Sequence, residues 1–229
     1  MNNLAIIETV LRNRRLFFAE IREGVELGRK MRAMLISSIA FFALYGAVMG
    51  ANYSRWQTLS SAVKLPILFL ATLVVCSPTL YFLNLIFGSN QSLMQNVALI
   101  LTAITVTAVL LLSFAPIVLF FMLTTGHYQF FKLLNVGVFT IASMVGVGFL
   151  SQGMRIVSAS SKEGAFARWI VVWLWILIYA FVGSQMAWTL RPFIGAPGME
   201  FELFRQLGGN FYANIFASIG EILGFFTVR

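Results

Sequence analysis

Residues 97–123 read VALILTAITVTAVLLLSFAPIVLFFML, an apolar run from Val97 to Leu123 without a single Asp, Glu, Lys or Arg. As an α-helix at 1.5 Å per residue it would be about 40 Å long, more than the roughly 30 Å hydrocarbon layer of a bilayer. A soluble core could bury such a helix only by surrounding it, and the rest of the chain is itself too apolar to do so without leaving large patches in water. Four further runs are free of the same four residue types: 33–51, 65–87, 133–150 and 169–190. A central charge is costly in a span, so five uninterrupted runs predict five transmembrane helices. A sixth run, 211–228, is shorter and carries Glu221. The expected fold is therefore an all-α integral membrane protein of five to six transmembrane helices, preceded by an amphipathic helix.

Composition agrees. Of 229 residues 59% are hydrophobic and 10% charged, against about 25% charged in a soluble domain. Mean hydropathy is +0.87. Two regions suffice: 1–32 as an amphipathic interfacial or docking helix, and 33–229 as one polytopic membrane domain. The formal net charge is +8. That excess sits in segments flanking apolar runs rather than on a polar surface, which disfavours a nucleic-acid partner. With six spans, eleven of the sixteen Lys and Arg fall on the side of the N-terminus and five on the other. By the positive-inside rule the N-terminus is expected to be cytoplasmic.

Within 1–32, Ile7, Val10, Leu11, Phe17, Phe18, Ile21 and Val25 share one helical arc, interrupted by Arg14. Such a helix suits a membrane surface or a docking partner. Gly46-x-x-x-Gly50 in the first span and Gly220-x-x-x-Gly224 in the last place small residues on one face, where another helix can approach closely. Pro78 and Pro116 each remove a backbone donor, and Ser77 and Ser113 are near enough to help satisfy the freed carbonyls.

The region after Trp188 carries the least ordinary polar pattern. Asn210, Asn214, Ser218 and Glu221 recur at spacings of four, four and three, forming one polar stripe. An intramembrane carboxylate is a functional-site hypothesis, and Arg191 is its possible ion-pair partner. A structural pair, a pore or transport role, and simple solvent exposure all remain open for Glu221. Catalytic, metal and cofactor sites are not expected. His127 is the only histidine, Cys76 the only cysteine, and no Gly-rich phosphate loop or His-Glu-x-x-His is present.

The stretch Gly183-Ser184-Gln185-Met186-Ala187-Trp188-Thr189-Leu190-Arg191-Pro192-Phe193-Ile194-Gly195, followed by Gly209-Asn210-Phe211-Tyr212, resembles a family of uncharacterised bacterial multi-pass membrane proteins, some of them cyanobacterial. Lys64-Leu65-Pro66 before the second span and the span spacing are, more distantly, similar to Yip1-like proteins. The resemblance implies a bacterial inner or internal membrane and a scaffold, trafficking or accessory role. Yip1-like proteins usually have five spans, so a sixth segment with Glu221 departs from them. The expected function is a non-enzymatic membrane scaffold or accessory subunit that packs against other membrane proteins or itself. The alternative is a small channel or transporter using Glu221 and the proline-containing spans.

Overall fold

The computed structural model describes residues 3–51, 54–86, 91–125, 127–157, 165–195, 201–204 and 211–223. Among these, eight helices follow in order: α1 (Asn3–Arg12), α2 (Arg14–Glu23), α3 (Leu27–Gly50), α4 (Arg55–Ile86), α5 (Leu93–Thr124), α6 (Tyr128–Val157), α7 (Ala165–Thr189) and α8 (Phe211–Ile222). Five are long and apolar enough to cross a membrane: α3 to α6, and Trp169–Thr189 of α7. The chain is a multi-pass α-helical membrane protein.

The helices overrun their apolar runs. Helix α4 begins ten residues before Leu65, and α6 continues seven beyond Leu150. Hydropathy marks the hydrocarbon layer, whereas helical hydrogen bonding continues into polar residues at either end. The start of α5 is fixed by a capping box: Ser92 Oγ accepts from the Gln95 N–H at 3.2 Å, and Gln95 Oε1 accepts from the Ser92 N–H at 2.8 Å. Pro66, Pro78 and Pro116 all lie inside continuous helices. Ser77 Oγ donates to Val74 O, the carbonyl orphaned by Pro78, at a long 3.4 Å. Ser113 donates to Val109 O at 2.9 Å instead of the carbonyl four residues before Pro116, so that expectation fails.

The amino-terminal region also departs from a single helix over 1–32. Asn13, at φ −120° and ψ 49°, separates α1 from α2, and Gly24 ends α2 at φ +77°. Residues 27–32 already belong to α3. Breaking the chain at Asn13 lets α1 pack on α3 while α2 packs on α6. The apolar arc is turned onto the bundle itself: Val10, Phe17, Phe18 and Ile21 are at most 1% exposed. Leu11 and Val25 fall outside the buried set. Arg14, the interruption in the arc, holds its guanidinium 5.0 Å from the centre of the Phe149 ring. Two further ties fasten this end. Lys30 pairs with Glu20 at 2.6 Å, and the Gln95 amide donates to the Ile21 and Arg22 carbonyls at the end of α2.

Lipid offers helices no hydrophobic reason to associate, so close packing and interhelical hydrogen bonds must hold the bundle. Gly46 and Gly50 lie against the α4 backbone. A Cβ on Gly50 would stand 2.5 Å from the Gln57 carbonyl oxygen, and one on Gly46 would strike that of Ser61. Gly146 does the same between α6 and α5, where a Cβ would meet Thr107 and the Ala103 carbonyl. The four-residue spacing of Ala142 and Gly146 is the small-residue signal for that second seam. Buried polar pairs add direction: Ser38 with Thr105 at 3.0 Å, and Tyr45 with Asn135 at 3.0 Å. At mid-bundle Phe42 stacks on Phe69 with centroids 4.1 Å apart, and Tyr45 and Phe139 close around them.

Candidate functional site

Polar side chains gather at the end of the bundle opposite α1 and α2. Gln57, Ser61 and Lys64 stand at spacings of four and three, which places them on one face of α4. All three are buried, Lys64 to 4% exposure. What they meet is backbone. Gln57 Nε2 donates to Pro192 O at 3.0 Å and Ser61 Oγ to Phe193 O at 2.5 Å. Lys64 Nζ donates to Pro192 O at 3.3 Å and to Leu203 O, and lies 4.9 Å from the centre of the Phe204 ring. Burying an ammonium is costly unless oxygen dipoles replace its water, and these carbonyls and the ring face supply that replacement. The result is a clasp that fixes the chain leaving α7 onto the start of α4.

Helix α8 forms the second part of the site. Its 12 described residues span about 18 Å of the roughly 30 Å of hydrocarbon. Its contacts tether it near one end of the bundle. Tyr212 OH and Ser184 Oγ of α7 are 3.0 Å apart, Lys132 Nζ donates to Asn214 Oδ1 at 3.1 Å, and Gln129 Nε2 donates to Glu221 Oε2 at 2.7 Å. Gln129 and Lys132 belong to the first turn and a half of α6, where that helix enters the bundle. From Asn214 to Glu221 the partner moves back towards the start of α6, so the described part of α8 does not run inward along it.

Ser218 is buried, at 2% exposure, and Glu221 half-buried, whereas Asn214 is exposed and reaches the protein through Lys132; Ser218 donates to the Asn214 carbonyl at 2.8 Å. The apolar side, with Phe216, Ile219 and Ile222, is exposed, the arrangement that a lipid surround favours. Gly220 is buried, whereas Asn210 and Gly224 lie outside the described residues. Glu221 meets Gln129, and Arg191 holds its guanidinium 3.4 Å from the centre of the Trp188 ring. Sequence reasoning named Glu221 and its stripe but not Gln129, Lys132, Gln57 or Ser61. The signal for the last two was available, since Gln57, Ser61 and Lys64 repeat the same four-and-three spacing.

Chemically this site is a fastening. Its bonded donors go to carbonyls, to a hydroxyl or to one carboxylate, while the buried Ser60 Oγ and Trp188 Nε1 find no hydrogen-bond partner among the described residues. Among those residues no group of three His, Cys, Asp or Glu could hold a metal ion. His127 is exposed, at the entry to α6. Among families, curated proteins and solved structures alike, no match to this chain is found.

Proposed function

We propose that the protein is a non-enzymatic integral membrane scaffold or accessory subunit, set in a bacterial inner or internal membrane with its N-terminus cytoplasmic. The observation that carries this reading is the filled centre of the bundle. Phe42, Phe69, Tyr45 and Phe139 occupy the space between α3, α4 and α6, and the buried hydroxyls and amides around them bond to one another or to backbone. A conduction path needs polar groups left free to exchange partners with an ion or solute. Glu221, the residue on which a transport reading rests, sits against Gln129 at the entry of α6 and away from that centre.

The lateral surface supplies what a scaffold needs. Helix α7 leans on α4 along one face and leaves Trp169, Trp173, Leu177 and Phe181 as an exposed ridge. Lipid or a neighbouring membrane protein covers that ridge, and a scaffold would use it for the latter. The resemblance to bacterial multi-pass and Yip1-like proteins points to the same class of role. Cysteine placed at Leu177 in a Cys76→Ser background, with crosslinker added to native membranes, is expected to give a discrete species of higher mass. Vesicles containing the purified protein are expected to show no ion conductance above empty ones, with Glu221→Gln no different. Flux abolished by Glu221→Gln, or a chain recovered only as an uncrosslinked monomer, would overturn the reading.

A further inference from the structure

At the end of the bundle that carries α1 and α2, helices α3, α4 and α5 leave a groove of about 510 Å³ open on one side. Gly28, Met31 and Arg32 line it from α3, Leu73 and Val74 from α4, and Val97 from α5. Arg32 is the one polar residue in the lining; every other is Gly, Leu, Met or Val. On α3 the lining runs from Gly28 to Leu35, about 10 Å along the axis, within the depth of one leaflet.

The walls and the cation together select the occupant. A partner helix would satisfy its own backbone but brings no fixed anion for the Arg32 guanidinium. An extended peptide would bring backbone N–H and C=O groups that these walls cannot satisfy. An acyl chain asks for no hydrogen bonds. Neighbouring cations are already engaged, Arg29 with Glu26 at 3.0 Å and Lys30 with Glu20 at 2.6 Å. Arg32 is exposed and has no hydrogen-bond or ion-pair partner among the described residues. Its planar guanidinium matches a phosphate, and basic pockets between transmembrane helices hold anionic headgroups. The lining has no carboxylate to receive a choline, so a net negative headgroup is preferred to a zwitterionic one.

We propose that this groove binds one acyl chain of an anionic phospholipid, whose phosphate is held by Arg32.

The test uses the full chain, reconstituted in vesicles of equal phosphatidylglycerol and phosphatidylcholine, extracted gently, with retained lipid counted by native mass spectrometry. Wild type is expected to keep phosphatidylglycerol several-fold over phosphatidylcholine. Arg32→Gln should bring the two to parity, while Arg32→Lys and Arg55→Gln, the latter at the opposite end, should keep the excess. Leu73→Trp fills the groove and should lower retention of both lipids. Lipid retained by wild type in the bulk proportion, or an excess unchanged in Arg32→Gln, would overturn the proposal. Should Leu73→Trp fail to fold, the Arg32 variants decide alone, since that side chain is exposed and makes no contact the fold depends on.

Discussion

The hydroxyl of Tyr45 on α3 donates to Oδ1 of Asn135 on α6 at 3.0 Å, with the two side chains 0% and 2% exposed. Asn135 Nδ2 also donates to Phe131 O at 2.8 Å, so the nitrogen and the oxygen of its amide are both engaged. The bond joins the first spanning helix to the fourth across the centre of the bundle. Interhelical hydrogen bonds in membranes contribute about 0.6 kcal/mol on average and about 1.7 at most. Tyr45→Phe is expected to cost an amount in that range, read as a lower midpoint of thermal unfolding in detergent. An unchanged midpoint would count against the bond.

The seam between α3 and α4 predicts a sharp contrast among glycines. Gly46→Val and Gly50→Val would drive side chains into the backbone carbonyls of Ser61 and Gln57. Backbone cannot swing aside as a side chain can, so the helices must separate, at about 1–3 kcal/mol or more each. Gly137 has open space where a Cβ would sit, and Gly137→Ala should be neutral or slightly stabilising. The monodisperse fraction on size exclusion after extraction distinguishes these outcomes.

Trp175 of α7 donates its indole N–H to the Cys76 carbonyl of α4 at 3.0 Å, two residues before Pro78. This bond and the packing beneath it keep the Cys76 side chain fully buried. Trp175→Ala should loosen α7 and speed maleimide labelling of Cys76 by an order of magnitude or more. Equal labelling rates in wild type and variant would show that α7 does not shield the thiol.

At the clasp, Lys64→Met keeps the aliphatic length of the side chain and removes the ammonium that joins the Pro192 and Leu203 carbonyls. Hydrogen exchange in peptides covering residues 190–204 should accelerate, while peptides from the middle of α5 stay protected. Glu221→Ala is expected to do the same for residues 211–223, because Gln129 loses its acceptor. Uniform acceleration across the chain would mean that these residues support the whole fold and not the clasp.

Legibility varied by element for physical reasons. The five spans were readable because a bilayer imposes a length of apolar sequence that chance does not supply. Their ends were less so, since Gln57, Lys64 and Asn96 are helical and buried yet polar, and hydropathy counts them as outside. The arc of Val10, Phe17, Phe18 and Ile21 was visible as a face, but periodicity says nothing of what covers it. In the clasp the acceptors are the carbonyls of Pro192, Phe193 and Leu203, and a backbone carbonyl has no sequence signature.

Sequence alone determined that this chain is a multi-pass helical membrane protein, because apolar length and the placing of charge are properties of the chain's own composition. Tertiary structure decided that the amino-terminal arc folds back on the bundle, that the Gly46 and Gly50 face meets α4, and that Glu221 meets Gln129. Each of those is a pairing between residues far apart in the chain. In a lipid surround every helix is equally apolar outside, so partners are chosen by backbone proximity and matched polar groups, which exist only once the helices are assembled.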